Sequence, residues 1–219
     1  MVQTSIPITE ALFAAGFEWQ NYVAQMTVNR EQIEGHFAEL SISGDDKQEL
    51  SKAVARYGGE ICVTAMTEDW CGDSLFNLPL IARMASEVPG MKLRVFVRST
   101  NPDLEQAYAA AGTTNIPAVS FFDSEWREIG RWVERSALAH QRIRAWNKAH
   151  PEMATLRQSD RPEDQEALAA LRDAMRAAMR GWYRDGLWQA TMGEIKNILS
   201  VRGAIPGRHD LPGLPDREM

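Results

Sequence analysis

Five consecutive residues, Trp70-Cys71-Gly72-Asp73-Ser74, hold the side chains most able to do chemistry in this chain. They fall where an apolar, β-branched run gives way to a helical pattern, which puts the Cys71 thiol at a helix N-terminus, exposed by position and backed by a tryptophan. The first N–H groups of a helix lack intrahelical acceptors and carry partial positive charge, so a thiolate there is stabilised. A free thiol titrates near roughly 8.5, and helix N-termini lower this by one to several units. Glu68, Asp69 and Asp73 surround the cysteine, and their charge opposes ionisation. Position 74 is serine, so the second thiol of a dithiol redox motif is missing. The other cysteine, Cys62, sits nine residues back along an expected strand. At roughly 3.3 Å per residue it lies about 15–20 Å or more away, beyond disulfide reach, and an apolar strand makes it a core residue.

Other constellations carry less. His36, His140, His150 and His209 are scattered, with no Cys/His or HExxH spacing, so no metal site and no cofactor is expected. No Gly-rich phosphate loop or GxSxG elbow occurs. Methionine and tryptophan between 175 and 188 read as a face docking on the protein's own core, with a peptide groove as the alternative. Arg172, Arg176, Arg180 and Arg184 recur every four residues and read as a solvated helix face.

The elements that must position Cys71 follow from periodicity. Leu12, Ala15, Trp19, Val23 and Met26 predict a helix with Thr9 as its N-cap. Asn29 with Gln32, and Asp45 with Gln48, have the spacing of reciprocal caps. After Gly58-Gly59 the pattern changes: residues 61–66 and 91–97 read as strands, Leu75 to Glu87 as a helix between them. Asn101-Pro102 opens the next helix and Gly112 ends it. Residues 118–122 and 126–133 predict a hairpin, and Ser136 opens a helix. This βαβαββα order predicts a mixed sheet. Residues 150–161 read as a linker, two amphipathic helices follow, and the tail after Gly203 reads as loose.

With 44% hydrophobic and 25% charged residues, the composition is that of a globular protein. A net charge of −6 argues against general nucleic-acid binding. No run approaches the roughly 18 apolar residues needed to span a bilayer, and the first residues lack a basic region before an apolar stretch, so neither membrane nor secretion is expected. Two cysteines suit a reducing, cytoplasmic setting.

The joints of these elements resemble the thioredoxin superfamily over residues 60–149. Trp70-Cys71-Gly72 matches the start of the family's Trp-Cys-Gly-Pro-Cys signature. Pro79 matches the proline in its active-site helix, and Ile116-Pro117 its cis-proline. The TEDWCGDS form and the long flanking helices resemble a bacterial, thioredoxin-like branch. The resemblance implies an α/β thioredoxin-like fold, a central mixed sheet flanked by helices. The expected layout is a core at 58–150, an N-terminal helical extension at 1–57 and a C-terminal helical extension and tail at 151–219, the three packing as one compact unit. It implies Cys71 as the catalytic thiol, with Asp69, Trp70, Gly72, Asp73 and Ser74 modulating the thiolate, and Thr114, Asn115, Ile116 and Pro117 docking the substrate. The family's buried acid and its lysine partner fall on Ala65 and Val95, so the dithiol cycle is excluded.

Three functions fit this pattern. One is a single-cysteine thiol–disulfide protein acting on protein disulfides, or on mixed disulfides with a small thiol, and released by an external reducing thiol. A second is a non-catalytic module that binds a protein or peptide. A third, on the likeness of Cys-Gly-Asp-Ser to Cys-Gly-Phe-Ser, is a glutaredoxin-like iron–sulfur carrier.

Overall fold

The structure, a computed structural model, describes residues 5–200; the tail after Gly203 and His209 lie outside them. In chain order the elements are α1 (Glu10–Ala15), α2 (Trp19–Gln25), α3 (Arg30–Glu39), α4 (Gly44–Arg56), β1 (Ile61–Thr67), α5 (Gly72–Glu87) and β2 (Met91–Val97). After a 3₁₀ turn at Arg98–Thr100 come α6 (Pro102–Ala110), β3 (Ala118–Phe122), β4 (Glu128–Val133), α7 (Ala137–Ala149), α8 (Glu152–Leu156), α9 (Pro162–Trp182) and α10 (Trp188–Ser200).

The strands form one mixed sheet in the order β2-β1-β3-β4. β1 pairs parallel with β2 and antiparallel with β3, and β3 pairs antiparallel with β4. Every residue of β1 is buried, as its unbroken run of apolar and small residues requires of a central strand covered on both faces. Ala65 and Val95 stand side by side in the β1–β2 register, both fully buried. The two positions at which the family would keep a buried charge pair are thus neighbours here, and both are apolar. Cys62 lies in this core with 1% exposure, its thiol donating to Glu60. Burial, reinforced by the Glu60 carboxylate, pushes that thiol up to about 12.

The first helical stretch differs from its periodicity. One helix is expected from Leu12 to Met26, but the chain breaks between α1 and α2. A Cβ on Gly16 would lie 2.7 Å from the Phe96 ring and 2.8 Å from Arg94 Cβ, so only glycine lets the backbone approach β2 this closely. Phe17 then exchanges two backbone hydrogen bonds with Val95, at 2.9 and 2.8 Å, and covers the edge of β2 at that point. A long-range hydrogen-bond pair has overridden local helical preference.

Capping shows the same priority. Thr9 caps α1 as expected. The α4 cap is Ser43, whose hydroxyl accepts from Asp46 N–H, two residues before the expected Asp45. Asn29 sits at φ +60° before α3 and caps nothing with its side chain, which reaches the carbonyl of Asp69. Asn101 likewise donates to Val97 O, while Pro102 opens α6 as expected.

The described chain packs as two compact units, residues 5–134 with 195–200, and residues 135–194. Within the second unit, α8 occupies the stretch expected to be a linker. Met179, Tyr183, Leu187 and Trp188 of the Met–Trp stripe are buried, while Arg176, Arg180 and Arg184 are exposed. Among the described residues no helix is long and apolar enough to cross a membrane.

Two polar devices hold the first unit. The first is the pair Arg131–Glu128 on β4, with side chains 1% and 0% exposed and two Nη2/Nε contacts of 2.8 and 3.0 Å to Oε1. Arg131 also donates to Thr113 Oγ1 and Ser120 Oγ, and Ser120 joins Tyr108 and Thr64 in a buried hydroxyl chain. The second concerns Pro79. Proline has no N–H, so the carbonyl four residues earlier, Leu75 O, loses its helical donor. His36 of α3, buried and stacked on Phe76, places Nδ1 3.0 Å from that carbonyl. The contact requires the tautomer with hydrogen on Nδ1.

Removing one member of the buried ion pair exposes its price: Arg131→Met should cost about 3–5 kcal/mol, because Glu128 is left charged and unpaired, as read from urea unfolding. For the helix device, His36→Phe should cost about 1–3 kcal/mol through the unsatisfied carbonyl. The cost should shrink in a Pro79→Ala background, where the helix regains its own donor. Equal costs in the two backgrounds would refute the coupling.

Candidate functional site

Cys71 is the N-cap of α5, with φ −73° and ψ 116°, so it stands at the helix entrance before the first free N–H groups. It is not exposed, as its position in sequence suggests; only 7% of it reaches solvent. The reason is tertiary. The Ile116–Pro117 peptide bond is cis, as expected, and Cys71 Sγ lies 3.5 Å from Ile116 O, within range of an S–H···O hydrogen bond. The same apolar cluster holds Cys71, Met66, Tyr108, Ile116 and Ala118, together with Ile6, Ile8 and Phe13 from the start of the chain.

The loop bearing Ile116 is clamped from β4. Glu134, at φ +68°, donates its N–H to Pro117 O at 2.8 Å, and its carboxylate accepts from Asn115 Nδ2 at 2.8 Å. Asn77 of α5 donates to Asp73 O and reaches Glu134 O at 3.5 Å. The motif turn and the Pro117 loop are therefore joined through side chains as well as by the thiol. Thr114, Asn115 and Ile116 line a cleft beside this loop, together with Met66, Arg98 and Glu105.

Burial pushes the Cys71 thiol above its ordinary range. The Ser74 hydroxyl and the N–H groups of Ser74 and Asp73 favour the thiolate, whereas the Asp73 carboxylate adds to the rise. Burial wins over the helix terminus because an ion taken from water loses more than two or three hydrogen bonds return. Ser74 is itself buried, and its oxygen lies 2.6 Å from Thr67 Oγ1. With Thr67 donating to Ser74, the Ser74 proton is left to face Cys71 Sγ. Beneath them the buried Tyr22 hydroxyl lies beside Thr67 without the geometry of a full hydrogen bond.

The acids around the cysteine divide in role. Asp69 is turned to the N-terminal helices, accepting from Thr27 N, Thr27 Oγ1 and Val28 N at 2.9, 2.8 and 3.3 Å. Its partial burial opposes ionisation, but the Thr27 and Val28 hydrogen bonds outweigh it and hold the carboxyl below the usual carboxylate range. Glu68, buried, accepts from Ser99 N–H at 2.6 Å. Of the three, Asp73 raises the Cys71 thiol through its charge. Trp70 is 58% exposed and stands under the Arg98 guanidinium, 5.8 Å from ring centroid to Cζ. Gly72 takes the first position of α5, with open space where a Cβ would be.

Sequence reasoning missed Thr67, Glu134, Asn77 and Arg98. Thr67 and Asn77 lie within six residues of Cys71 and were within reach of a positional argument; Glu134 and Arg98 come from distant strands and turns and left no local sign. Among the described residues no group of three or more His, Cys, Asp or Glu is placed to hold a metal ion.

Comparison with known proteins agrees with this arrangement. A family model described as thioredoxin matches residues 16–147, more than half of the chain. A crystal structure of a protein of unknown function from Pseudomonas aeruginosa is similar, with a TM-score of 0.58 at 18% identity over 89% of this chain and 98% of its own. An HIV epitope-scaffold is similar at TM-score 0.57 and 18% identity, over 88% and 98%. At that identity the likeness establishes fold alone. No curated protein matches the chain.

The thiol's environment gives a pH dependence. Alkylation of Cys71 should show an apparent pKa above the roughly 8.5 of a free thiol, so its rate at pH 7 should be lower than that of free cysteine and climb through the alkaline range. Asp73→Asn should lower that pKa by removing a like charge, and Ser74→Ala should raise it by removing a donor to the thiolate. Iodoacetamide rates against pH, with Cys62 replaced by alanine, measure all three; shifts of opposite sign would overturn the assignment.

Proposed function

Because the chain belongs to the thioredoxin family and keeps a single thiol at that family's reactive position, we propose that it is a single-cysteine thiol–disulfide exchange protein acting through Cys71. The observation that carries this reading is the 3.5 Å contact of Cys71 Sγ with Ile116 O, at a helix N-terminus and beside the cis bond. A thiol there has both parts of an exchange site within reach: N–H groups and a serine hydroxyl for the thiolate, and a backbone carbonyl for an incoming chain.

The substrate is a mixed disulfide between a protein and a small thiol, in a reducing, cytoplasmic compartment. The substrate chain takes the Ile116 carbonyl, with Thr114, Asn115 and Pro117 around it, and frees the Cys71 thiol from that bond. The Cys71 thiolate attacks the small thiol's sulfur; the S–Cys71 bond forms, the old S–S bond breaks, and the protein's sulfur leaves as thiolate and takes up a proton. Ser74 donates to the attacking sulfur. No resolving thiol stands at position 74, so a second, external thiolate attacks the small-thiol sulfur. The products are a small disulfide and regenerated Cys71. Overall, one disulfide is exchanged for another: the protein sulfur ends as a thiol, the external thiol is oxidised into the small disulfide, and the first small-thiol sulfur keeps its oxidation level.

The burial of Cys71 and its raised pKa favour one second reading, a module that holds a partner chain at the Pro117 loop without turnover. The two separate cleanly. With a small thiol in excess at pH 8.5, the protein should accelerate release of a fluorescent protein mixed disulfide about tenfold or more over the thiol alone, within the range of activated thiols. Cys71→Ser should remove the acceleration. Retention of partner binding by Cys71→Ser, with no acceleration by the native protein, would establish the module instead.

A further inference from the structure

The cleft beside the Pro117 loop has a charged rim and an apolar floor. Met66, Tyr108, Ile116 and Ala118 form the floor, and Arg98, Glu105, Thr114 and Asn115 stand around the opening. Its volume is about 290 Å³ with its open mouth included. Two of its lining residues connect it to Cys71, which does not itself line it. Ile116, whose carbonyl receives the Cys71 thiol, forms part of one wall, and Arg98 reaches from the cleft to the ring of Trp70, the residue before Cys71.

Arg98 is held but not saturated. Its Nε faces Glu105 at 3.5 Å, and its Cζ stands over the Trp70 ring, 5.8 Å from the centroid. Its two terminal nitrogens have no hydrogen-bond partner among the described residues. The side chain is 26% exposed, so these donors are partly withdrawn from water. A guanidinium held at its Nε presents its two terminal nitrogens as a planar pair of donors, which matches the two oxygens of a carboxylate. The other nearby acid, Glu68, is committed to Ser99 N–H and does not fill this position.

We propose that this cleft binds the small-thiol half of the mixed disulfide and that Arg98 selects small thiols bearing a carboxylate. The inference rests on the exchange reading of Cys71 and names its substrate class. As the Cys71 thiolate attacks the small-thiol sulfur, the carboxylate of that thiol lies on Arg98 and its carbon skeleton lies on the apolar floor. The leaving protein sulfur points outward along the Pro117 loop. The surroundings make the preference diagnostic: the chain carries a net charge of −6 and Asp73 adjoins the thiol, so unaided electrostatics would disfavour an anionic substrate.

The test uses one reporter protein carrying a single mixed disulfide, formed with 3-mercaptopropionate or with 2-mercaptoethanol, and compares kcat/KM for the two. The native protein should favour the carboxylate form roughly tenfold, the scale of one charge-assisted bidentate contact. In Arg98→Gln the ratio should fall toward one, whatever happens to the common rate, and Arg98→Lys should keep part of it. Equal rates in the native protein, both above free thiol, would overturn the cleft assignment and leave the exchange reading standing. If neither disulfide reacts faster than with free thiol, the exchange reading fails. Calorimetry on Cys71→Ser then decides the cleft by itself: Arg98-dependent binding of 3,3′-dithiodipropionate over 2-hydroxyethyl disulfide supports it, and indifference between the two refutes it. A preference that follows an acidic residue placed in the reporter chain, rather than the small thiol, would refute it as well.

Discussion

The contact between the Cys71 thiol and the Ile116 carbonyl organises the first unit of this protein. To make it, the chain must bring the end of β1, the start of α5 and the loop before β3 to one point. The sheet order β2-β1-β3-β4 does so because β3 returns antiparallel beside the central strand, with Ala118 opposite Met66. The same contact explains the unusual chemistry of the site. It withdraws the sulfur from water, and withdrawal counts for more than the helix terminus that should have acidified it. The site therefore rests as a protonated thiol held by a backbone carbonyl.

The segment before β1 is part of that construction. Asp69 is tied to Thr27 and Val28, and Asn29 is tied to the Asp69 carbonyl, so the turn ahead of Cys71 is set from both directions by the N-terminal helices. His36 closes the backbone gap that Pro79 opens in α5. Gly16 and Phe17 seal the edge of β2. Hydrogen bonds at four places thus reach from residues 16–36 into the turn before Cys71, α5 and the neighbouring strand β2. The family match beginning at residue 16 is consistent with that dependence.

Loss of the buried charge pair and of the second thiol belongs to the same picture. Ala65 and Val95 fill the interior where two charges would otherwise need mutual neutralisation, which removes a desolvation cost. The charges of this unit lie elsewhere: in the buried Arg131–Glu128 pair, and on Arg98 at the edge of the site, whose terminal nitrogens have no hydrogen-bond partner among the described residues.

Periodicity and spacing determined the strands, the hairpin, α5 and the place of Cys71 at its start; the serine at 74 is read directly, and the cis bond before Pro117 followed from the family resemblance. Each of these depends on neighbours within a few residues or on a motif whose spacing is visible along the chain. The break at Gly16, the roles of Asn29 and Asp69, the donor to Leu75 O and the burial of Cys71 were decided only by tertiary structure. In each case a partner dozens of residues away satisfies a backbone group or excludes water. Ionisation of the thiol is the sharpest instance: its helix-terminal position is written locally, but its pKa follows from solvent access, and that depends on where Ile116 comes to rest.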